Sequence, residues 1–182
     1  MGILAEPAQF VRELKLKKGF AVCELGDQWV TYISPHVLAA DYFRELGCGK
    51  YVSIDANGRG TLTADLNRPL PQDIGTFHLV TDFGTGEHVF NQAQVWRTVH
   101  GLTKQGGYIV FDRPCQGYEG HCFYLTHETL FRDLAAANNY EIVRLERSAT
   151  PRGELIRGVF RKGGEGKFQT PQQGRYKKIL QI

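Results

Sequence analysis

"VCELGDQWVT", residues 22–31, joins a continuous apolar run to a glycine turn. Such a run is typical of a strand buried on both faces, and a glycine turn after it commonly holds a nucleotide cofactor. A cofactor loop usually continues with further glycines, which let the backbone approach the ligand closely. Here Asp27, Gln28 and Trp29 follow Gly26 instead. The stretch therefore leaves open whether this loop is a working cofactor site or the remnant of one.

Strands and helices alternate on both sides of this stretch. Apolar runs predict strands at residues 20–25, 50–55, 61–66, 77–83 and 107–112, and helical spacing predicts helices at 5–17, 36–46, 88–104 and 126–137. Two last strands, 140–147 and 155–162, flank a turn and indicate a hairpin. This order predicts an α/β fold, a doubly wound and mostly parallel sheet with a C-terminal antiparallel hairpin. We expect one domain over residues 1–162 and a surface arm over 163–182.

The composition is that of a globular protein. The chain has 182 residues, of which 42% are hydrophobic and 23% charged, so it is expected to bury one sizeable core. Its net charge of +3 is too small to favour nucleic acid as a partner, and no apolar stretch approaches the roughly 20 residues of a membrane span. Four scattered cysteines and the lack of a signal peptide favour a cytoplasmic setting. Membership of an oligomer or a larger complex stays open.

Acidic residues follow several of the predicted strands, at the edge where sheets of this kind bind ligands. Asp55 ends the second strand, where an acid can accept hydrogen bonds from both ribose hydroxyls of a nucleotide. The alternative is a solvated loop acid, because "DANGRG" is also an ordinary turn sequence. Asp65 ends the third strand, where a side chain could meet an adenine amino group, although acids are common at strand exits. Both acids are therefore candidates for one nucleotide site.

The stretch "TDFGTGEHVFNQ" (81–92) contains the strongest candidates for chemistry. Asp82 lies at the strand end, Gly84 allows a tight turn, and Glu87 and His88 enter the next predicted helix. A helix N-terminus disfavours a cation, so His88 is expected to be neutral and could act as a general base. The alternative is a histidine that is hydrogen-bonded beneath a loop.

The loop after the fifth predicted strand, "DRPCQGYEGHCFYLT", is long for a connection between a strand and a helix. Ordered loops of this length over a carboxyl edge are usually lids or substrate walls, which makes Arg113 and Tyr124 candidates for substrate contacts. His121 is a second candidate for the base. Asp82, His88 and His121 could together bind a metal, but nothing in their spacing requires one, so the sequence predicts no metal site.

Four motifs, in this order, resemble those of class I S-adenosylmethionine-dependent methyltransferases: "VCELGD", "SIDANG", "ADLNRPLP" and "LTKQGGYIVF". A narrower resemblance covers "GTGEHVFNQ" and the later "GHCFYLTHETLFRDLAAANNYEI". These are similar to a methyltransferase-like group found among glycan-cluster and phage proteins, whose motifs run approximately G-T-x-E-H-V-F-N and G-H-G-F-Y. The resemblance implies a Rossmann-like fold and S-adenosylmethionine as cofactor.

The resemblance also implies roles for individual residues. The residues implied to bind the cofactor are Glu24, Gly26, Asp27, Asp55, Asp65, Leu66, Asp82 and Gly84. The resemblance places Tyr124 at the acceptor, beside the loop residue Arg113 proposed above, and the implied catalytic residues are Glu87, His88 and His121. The superfamily pattern acid-x-Gly-x-Gly-x-Gly keeps only Glu24 and Gly26 here, and Cys122 stands where the narrower group usually has glycine.

Methyl transfer needs little beyond proximity, in-line geometry and a base for the proton of the acceptor. We therefore expect a methyltransferase that modifies an oxygen of a small hydroxylated or sugar-like acceptor. The alternative is a non-catalytic binding or assembly module, for instance in a viral particle or a larger complex, which the glycine-poor loop favours. A nicotinamide-dependent oxidoreductase ranks lower, because the G-x-G-x-x-G fingerprint is absent after the first strand.

Overall fold

The computed structural model describes residues 2–175, so the last part of the predicted arm, 176–182, lies outside the described residues. In chain order the elements are β1 (Gly2–Ile3), α1 (Ala5–Glu13), β2 (Ala21–Leu25), β3 (Trp29–Val30), β4 (Val37–Leu38), α2 (Ala39–Glu45), β5 (Lys50–Asp55), β6 (Leu62–Thr63), β7 (Phe77–Phe83), a 3-10 turn (Gly86–His88), α3 (Gln92–Leu102), β8 (Thr103–Gln116), α4 (Glu128–Ala137), β9 (Tyr140–Thr150) and β10 (Gly153–Lys162). None of these helices has the length and apolar character needed to cross a bilayer.

Seven strands form the main sheet, in the order β6-β5-β2-β7-β8-β10-β9. The five strands from β6 to β8 are parallel, whereas β10 runs antiparallel to both β8 and β9. From β2 the chain first adds β5 and β6 on one side and then β7 and β8 on the other. Because of this reversal, the helical connections cover both faces of the sheet. The predicted fold class, a doubly wound sheet with a C-terminal antiparallel hairpin, is confirmed.

Two hydrophobic layers enclose the sheet. Helices α3 and α4 pack on one face, where Phe111 of β8 stacks on Phe131 of α4 with ring centroids 4.2 Å apart. Helices α1 and α2 pack on the other face, through side chains such as Phe10 and Phe43. All five residues of β2 are buried, as its uninterrupted apolar run predicts.

Several element boundaries differ from those predicted. The first helix ends at Glu13 rather than at residue 17, because Lys15 adopts a left-handed backbone conformation with φ 47°. The helix predicted from residue 88 begins at Gln92, because the side chain of Asn91 caps it by accepting a hydrogen bond from the backbone N–H of Gln94. Strand β8 begins earlier than predicted, where Thr103 pairs with Phe77 of β7, and it ends later than predicted, because β10 extends its pairing to Gln116.

A second, three-stranded sheet was not predicted. In it β1 runs parallel to β3, with Gly2 opposite Trp29, and β4 runs antiparallel to β3. Strands of two residues carry too little periodicity to be recognised in a sequence. This small sheet fixes the direction of the chain directly after the Gly26 turn.

The described part of the predicted arm, residues 163–175, lies against the domain. The carbonyl of Gly166 is 2.7 Å from Nε2 of the buried His100, and the backbone N–H of Gln169 donates to the side-chain oxygen of Asn138 at 2.8 Å. These hydrogen bonds hold the segment on the ends of α3 and α4. The division into a domain and an arm at residue 162 stays a prediction.

Candidate functional site

The carboxyl ends of the central strands lie side by side at one edge of the sheet. Leu25 at the end of β2 pairs with Ile54 of β5 on one side and with Asp82 of β7 on the other. Phe83 of β7 in turn pairs with Asp112 of β8. This is the edge at which doubly wound sheets bind their ligands. It brings together the acids that the sequence singles out at the strand ends.

Asp55 lies at the end of β5 and faces the loop after β2. Its Oδ2 accepts a hydrogen bond from the backbone N–H of Asp27, and its Oδ1 accepts one from Asn57, both at 2.9 Å. A carboxylate offers about four lone-pair sites, so each oxygen keeps capacity for a further donor. Asp55 is thus held rigidly beside the loop while it can still accept bonds from two hydroxyl groups. Asp27 contributes its backbone, which anchors this carboxylate.

The space above the Gly26 turn is filled by two side chains. Gly26 has φ 88°, and a Cβ atom placed on it would lie 2.7 Å from Nε2 of Gln28 and would also collide with the hydroxyl of Thr85. Gln28 donates from this nitrogen to the Thr85 hydroxyl at 3.0 Å, and that hydroxyl donates to the carbonyl of Leu25 at 2.8 Å. The buried Gln28 therefore bridges the ends of β2 and β7, where a loop richer in glycine would leave open space.

Two buried acceptor atoms line the same turn. Within residues 2–175, no donor at hydrogen-bonding geometry reaches Oε1 of Glu24 or Oε1 of Gln28. The other carboxylate oxygen of Glu24 accepts from the hydroxyl of Tyr51 at 2.5 Å. Burial raises the pKa of Glu24 to about 8; the Tyr51 hydrogen bond offsets this only in part, and the charge of Asp27 raises the pKa further. A cationic donor brought to this turn would therefore meet unused acceptors.

Asp65 and Leu66, both predicted to lie beside an adenine ring, have different environments. Asp65 is exposed, and its Oδ1 accepts from the backbone and the side chain of Asn67 at 2.9 and 2.8 Å. Leu66 is buried in the core, so its side chain is unavailable at the surface. Asn67 also accepts a bond from the backbone of Asn91 at 2.9 Å, which fastens the end of β6 to the start of α3.

Asp82 and Arg113 form a buried ion pair. Both Nε and Nη2 of Arg113 donate to Oδ2 of Asp82, and Nε lies at 2.8 Å. The other oxygen of Asp82 accepts from the backbone N–H groups of Thr85 and Gly86 at 3.2 and 2.9 Å. Every oxygen of this carboxylate is therefore engaged inside the protein, which argues against the predicted contact of Asp82 with a cofactor.

Arg113 has a structural position rather than the predicted one beside a substrate. It is 0% exposed, and its remaining terminal nitrogen donates to Gln92 at 2.8 Å. Gln92 in turn donates to the carbonyls of Gly86 and Val89 at 2.6 and 2.5 Å, and the guanidinium lies over the ring of Trp96. The side chain turns inward because the register of β7 and β8 places it next to Asp82. We infer that Arg113 shapes the turn that carries Glu87 and His88.

Glu87, His88 and His121 come together above this buried pair. One ligand-type atom of each residue lies within 4.8 Å of the others, and the two imidazole rings meet edge to face with centroids 5.0 Å apart. Glu87 is 1% exposed, and no donor in the described part of the chain reaches its Oε2. The pKa of His88 is lowered, chiefly by burial and then by the proximity of His121, which favours the expected neutral ring. The three predicted catalytic residues therefore share one site.

A cavity of about 180 Å³ opens beside this cluster. Its wall includes Glu87 and His121, the turn at Gly84, and Tyr118 of the loop after β8. Asp112 also faces it, paired with the buried Arg157 at 3.1 Å. A cavity of this size admits the reactive end of a small molecule rather than a whole drug-sized ligand.

Exposed aromatic rings stand next to the cluster in the chain. Phe90 and Phe123 are 71% and 68% exposed, and their rings meet edge to face with centroids 6.1 Å apart. Tyr124 joins them, with its hydroxyl donating to the carbonyl of Phe90 at 3.0 Å. Large exposed aromatic side chains that contact each other commonly mark a binding surface. Tyr124, predicted to contact a substrate, thus belongs to an aromatic surface, which we call the Phe90–Phe123–Tyr124 platform.

The chain matches no family model, and no curated protein matches it. Several solved structures share its architecture. A 1,6-didemethyltoxoflavin-N1-methyltransferase from Burkholderia thailandensis, solved with S-adenosylhomocysteine, matches with a TM-score of 0.63 at 15% identity, over 87% of this chain and 77% of that one. The N-methyltransferase NodS from Bradyrhizobium japonicum matches with a TM-score of 0.62 at 15% identity, over 87% and 96%. A methyltransferase-like protein from Bacillus halodurans, described as putative, matches with 0.65 at 13%, over 88% and 100%.

The chain has the Rossmann-like fold of these methyltransferases. In this methyltransferase fold the Gly26 turn and Asp55 occupy the edge on one side of β2, and the Glu87–His88–His121 cluster occupies the edge beside β7 and β8. Identities this low establish the architecture only, so the roles of these residues are argued from their own chemistry.

The sequence did not predict the polar side chains that support the loops of the site by hydrogen bonds. Hydrogen-bond networks at the site are completed by Thr85 in a loop, Gln92 at the start of α3 and Arg157 in β10. A single polar residue in any of these places carries no sequence pattern that predicts its burial. The one available signal was Gln28 itself, a polar residue in place of a loop glycine.

Proposed function

We propose that this protein is an S-adenosylmethionine-dependent methyltransferase that acts on an oxygen of a small hydroxylated or sugar-like acceptor. The observation that carries the proposal is that a candidate cofactor site and a candidate acceptor site lie next to each other at the same edge of the sheet. One of them contains Asp55 and the Oε1 atoms of Glu24 and Gln28, which have no donor within residues 2–175, and the other contains Glu87, His88 and His121.

The residues on the cofactor side fit the parts of S-adenosylmethionine. Asp55 keeps free lone pairs for the two ribose hydroxyls. The acceptors of Glu24 and Gln28 suit the α-ammonium group of the methionine part, which is a strong donor. The cofactor supplies a methyl group bound to a positively charged sulfur. The protein needs only to orient it and to exclude water.

The residues on the acceptor side fit a hydroxyl group. His121 and Glu87 face the cavity, where a neutral imidazole or a carboxylate can accept the proton that the hydroxyl loses. The Phe90–Phe123–Tyr124 platform offers apolar ring faces against which the C–H face of a sugar can stack. Other methyltransferases of this fold act on small molecules, as the toxoflavin enzyme does.

Asp55→Ala tests the cofactor site. We expect the affinity for S-adenosylhomocysteine, measured by isothermal titration calorimetry, to fall about a hundredfold, because two charge-assisted hydrogen bonds of roughly 1.5 kcal/mol each are lost. Asp73→Ala is the matched control, because Oδ1 of Asp73 accepts from the backbone of Gly75 at 2.8 Å in the same kind of turn as Oδ1 of Asp55 does from Asn57. Loss of Asp73 should leave the affinity unchanged. Equal affinities of Asp55→Ala and the unmodified protein would remove Asp55 from the site.

The affinity for S-adenosylmethionine should also depend on pH through Glu24. Below pH 8 the free protein holds this carboxyl group protonated, because burial has raised its pKa to about 8. A bound ammonium group favours the carboxylate, so binding releases a proton and the affinity rises up to tenfold per pH unit from pH 6 towards pH 8. Calorimetry in buffers of different ionisation enthalpy measures the released proton. Glu24→Gln should flatten the profile; a flat profile in the unmodified protein would contradict this role.

One observation favours the non-catalytic alternative. The Gln28–Thr85 hydrogen bond occupies the space above Gly26, so it replaces inside the protein a contact that an open glycine loop leaves for a ligand. In a binding or assembly module this bridge would be permanent. The same calorimetry separates the two functions: no heat with millimolar S-adenosylmethionine or S-adenosylhomocysteine supports the module and ends the enzyme proposal.

A further inference from the structure

The cluster of Glu87, His88 and His121 has the composition of a metal site. Two imidazoles and one carboxylate are the donor set that Zn²⁺ and neighbouring divalent transition metals prefer. Metal–nitrogen and metal–oxygen bonds of about 2.1 Å in a tetrahedral site put neighbouring ligand atoms roughly 3.4 Å apart. The donor atoms here lie within 4.8 Å of one another, so small side-chain rotations bring them to that spacing.

The backbone fixes all three side chains on short, well-anchored turns. The N–H of His88 donates to the carbonyl of Thr85 at 3.1 Å, and the N–H of His121 donates to the carbonyl of Tyr118 at 3.1 Å. The two histidines therefore reach the cluster from different segments, the turn after β7 and the loop after β8. A metal held by both would tie these segments together.

A second observation points independently to a cation. The Oε2 atom of Glu87 is buried, and no donor among residues 2–175 satisfies it. A buried carboxylate oxygen without a hydrogen-bond partner destabilises the folded protein. The guanidinium of Arg113 does not relieve this, because all three of its nitrogens already donate to Asp82 and Gln92. A divalent cation beside Glu87 would supply the missing charge.

One coordination position would stay open. Glu87 and His121 line the cavity of about 180 Å³, so the side of the cluster away from the protein faces a space large enough for water or a hydroxyl group. Three protein ligands and an open position are typical of catalytic rather than structural zinc sites. We propose that Glu87, His88 and His121 bind a divalent transition metal of the Zn²⁺ type, with its open position facing this cavity. The proposal does not require that the protein bind S-adenosylmethionine.

Metal titration of the tag-free protein tests the proposal. Metal-depleted protein is titrated with Zn²⁺ against a chromophoric chelator, and separately with Co²⁺ under anaerobic conditions while the visible spectrum is recorded. We expect one equivalent of metal bound with micromolar or tighter affinity. The Co²⁺ spectrum should show ligand-field bands without the near-ultraviolet charge-transfer band of a cobalt–thiolate bond, because none of the three ligands is a cysteine.

Matched variants separate this cluster from accidental binding. His88→Ala and His121→Ala should each weaken Zn²⁺ binding at least a hundredfold, whereas His36→Ala, which removes an exposed histidine elsewhere, should change nothing. Zn²⁺ should raise the melting temperature of the unmodified protein and of His36→Ala but not of the cluster variants. If a cluster variant fails to fold, the stoichiometry and the Co²⁺ spectrum of the unmodified protein still decide.

Two results would overturn the proposal. The first is the absence of stoichiometric binding at micromolar protein. The second is binding that survives in both histidine variants together with a thiolate band, which would assign the metal to one of the four free cysteines. Because these measurements use no cofactor, they can fail while the calorimetry with S-adenosylhomocysteine succeeds, and the reverse also holds.

Discussion

Arg113→Met should lower the free energy of unfolding by about 3–5 kcal/mol, measured by urea denaturation. Removing one partner of a buried ion pair leaves the charge of the other partner uncompensated. In this variant that charge is the buried carboxylate of Asp82. The guanidinium also packs on Trp96 and donates a hydrogen bond to the side-chain oxygen of Gln92, so both residues lose a neighbour. Such a loss is a large fraction of the roughly 5–15 kcal/mol by which an ordinary domain is stable.

Two further variants make this prediction specific. Arg44→Met breaks an exposed pair with Asp41 and should cost well under 1 kcal/mol. Asp82→Asn combined with Arg113→Met should recover much of the loss, because the stranded charge is gone while the asparagine oxygen can still accept from the backbone of Gly86. A loss for Arg113→Met as small as that for Arg44→Met would show that the buried pair contributes little.

Gly86→Ala should destabilise the protein by about 3 kcal/mol through steric conflict. A Cβ atom on Gly86 would lie 2.6 Å from Oδ2 of Asp82 and would overlap the guanidinium of Arg113. Neither side chain can move aside, since both are fully buried and held by several hydrogen bonds. Overpacking in a tight interior costs 1–3 kcal/mol, and distortion of the ion pair adds to that cost.

Gly101→Ala is the matched control for Gly86→Ala. Gly101 lies in α3, and a Cβ atom added there meets nothing within 4 Å. Alanine in an open helical position should stabilise the protein by about 0.5–1 kcal/mol. Urea denaturation should therefore move the two midpoints in opposite directions, and a neutral Gly86→Ala would mean that the turn can relax around the added methyl group.

The architecture was predictable because the central strands are short, mostly apolar runs that alternate with helical segments. Strands β5 and β7 have the predicted bounds, and β2, which is buried throughout, begins one residue later than predicted. The small sheet around Trp29 was not predictable, because its strands are two residues long. The start of α3 moved because a single side-chain cap at Asn91 outweighs the helical pattern that precedes it.

The positions of several candidate residues were predictable, but their partners were not. Asp55 and Asp82 lie at one edge of the sheet, as the strand-end rule predicts, since carboxyl ends of neighbouring parallel strands must meet. It could not say that Asp82 turns inward, because that depends on the register that brings Arg113 beside it. The tertiary structure therefore decides which acid lies beside the two histidines, and in the folded chain that acid is Glu87.

The two tryptophans of the chain report on different parts of the molecule. Trp29, directly after the Gly26 turn, is 44% exposed, whereas Trp96, beneath the Arg113 guanidinium, is 2% exposed. Their fluorescence should therefore differ in emission maximum and in access to a quencher such as iodide. In a Trp29→Phe variant the remaining signal follows the buried network, and in Trp96→Phe it follows the loop. Intrinsic emission can thus time ligand capture at the turn separately from unfolding of the core, without any attached dye.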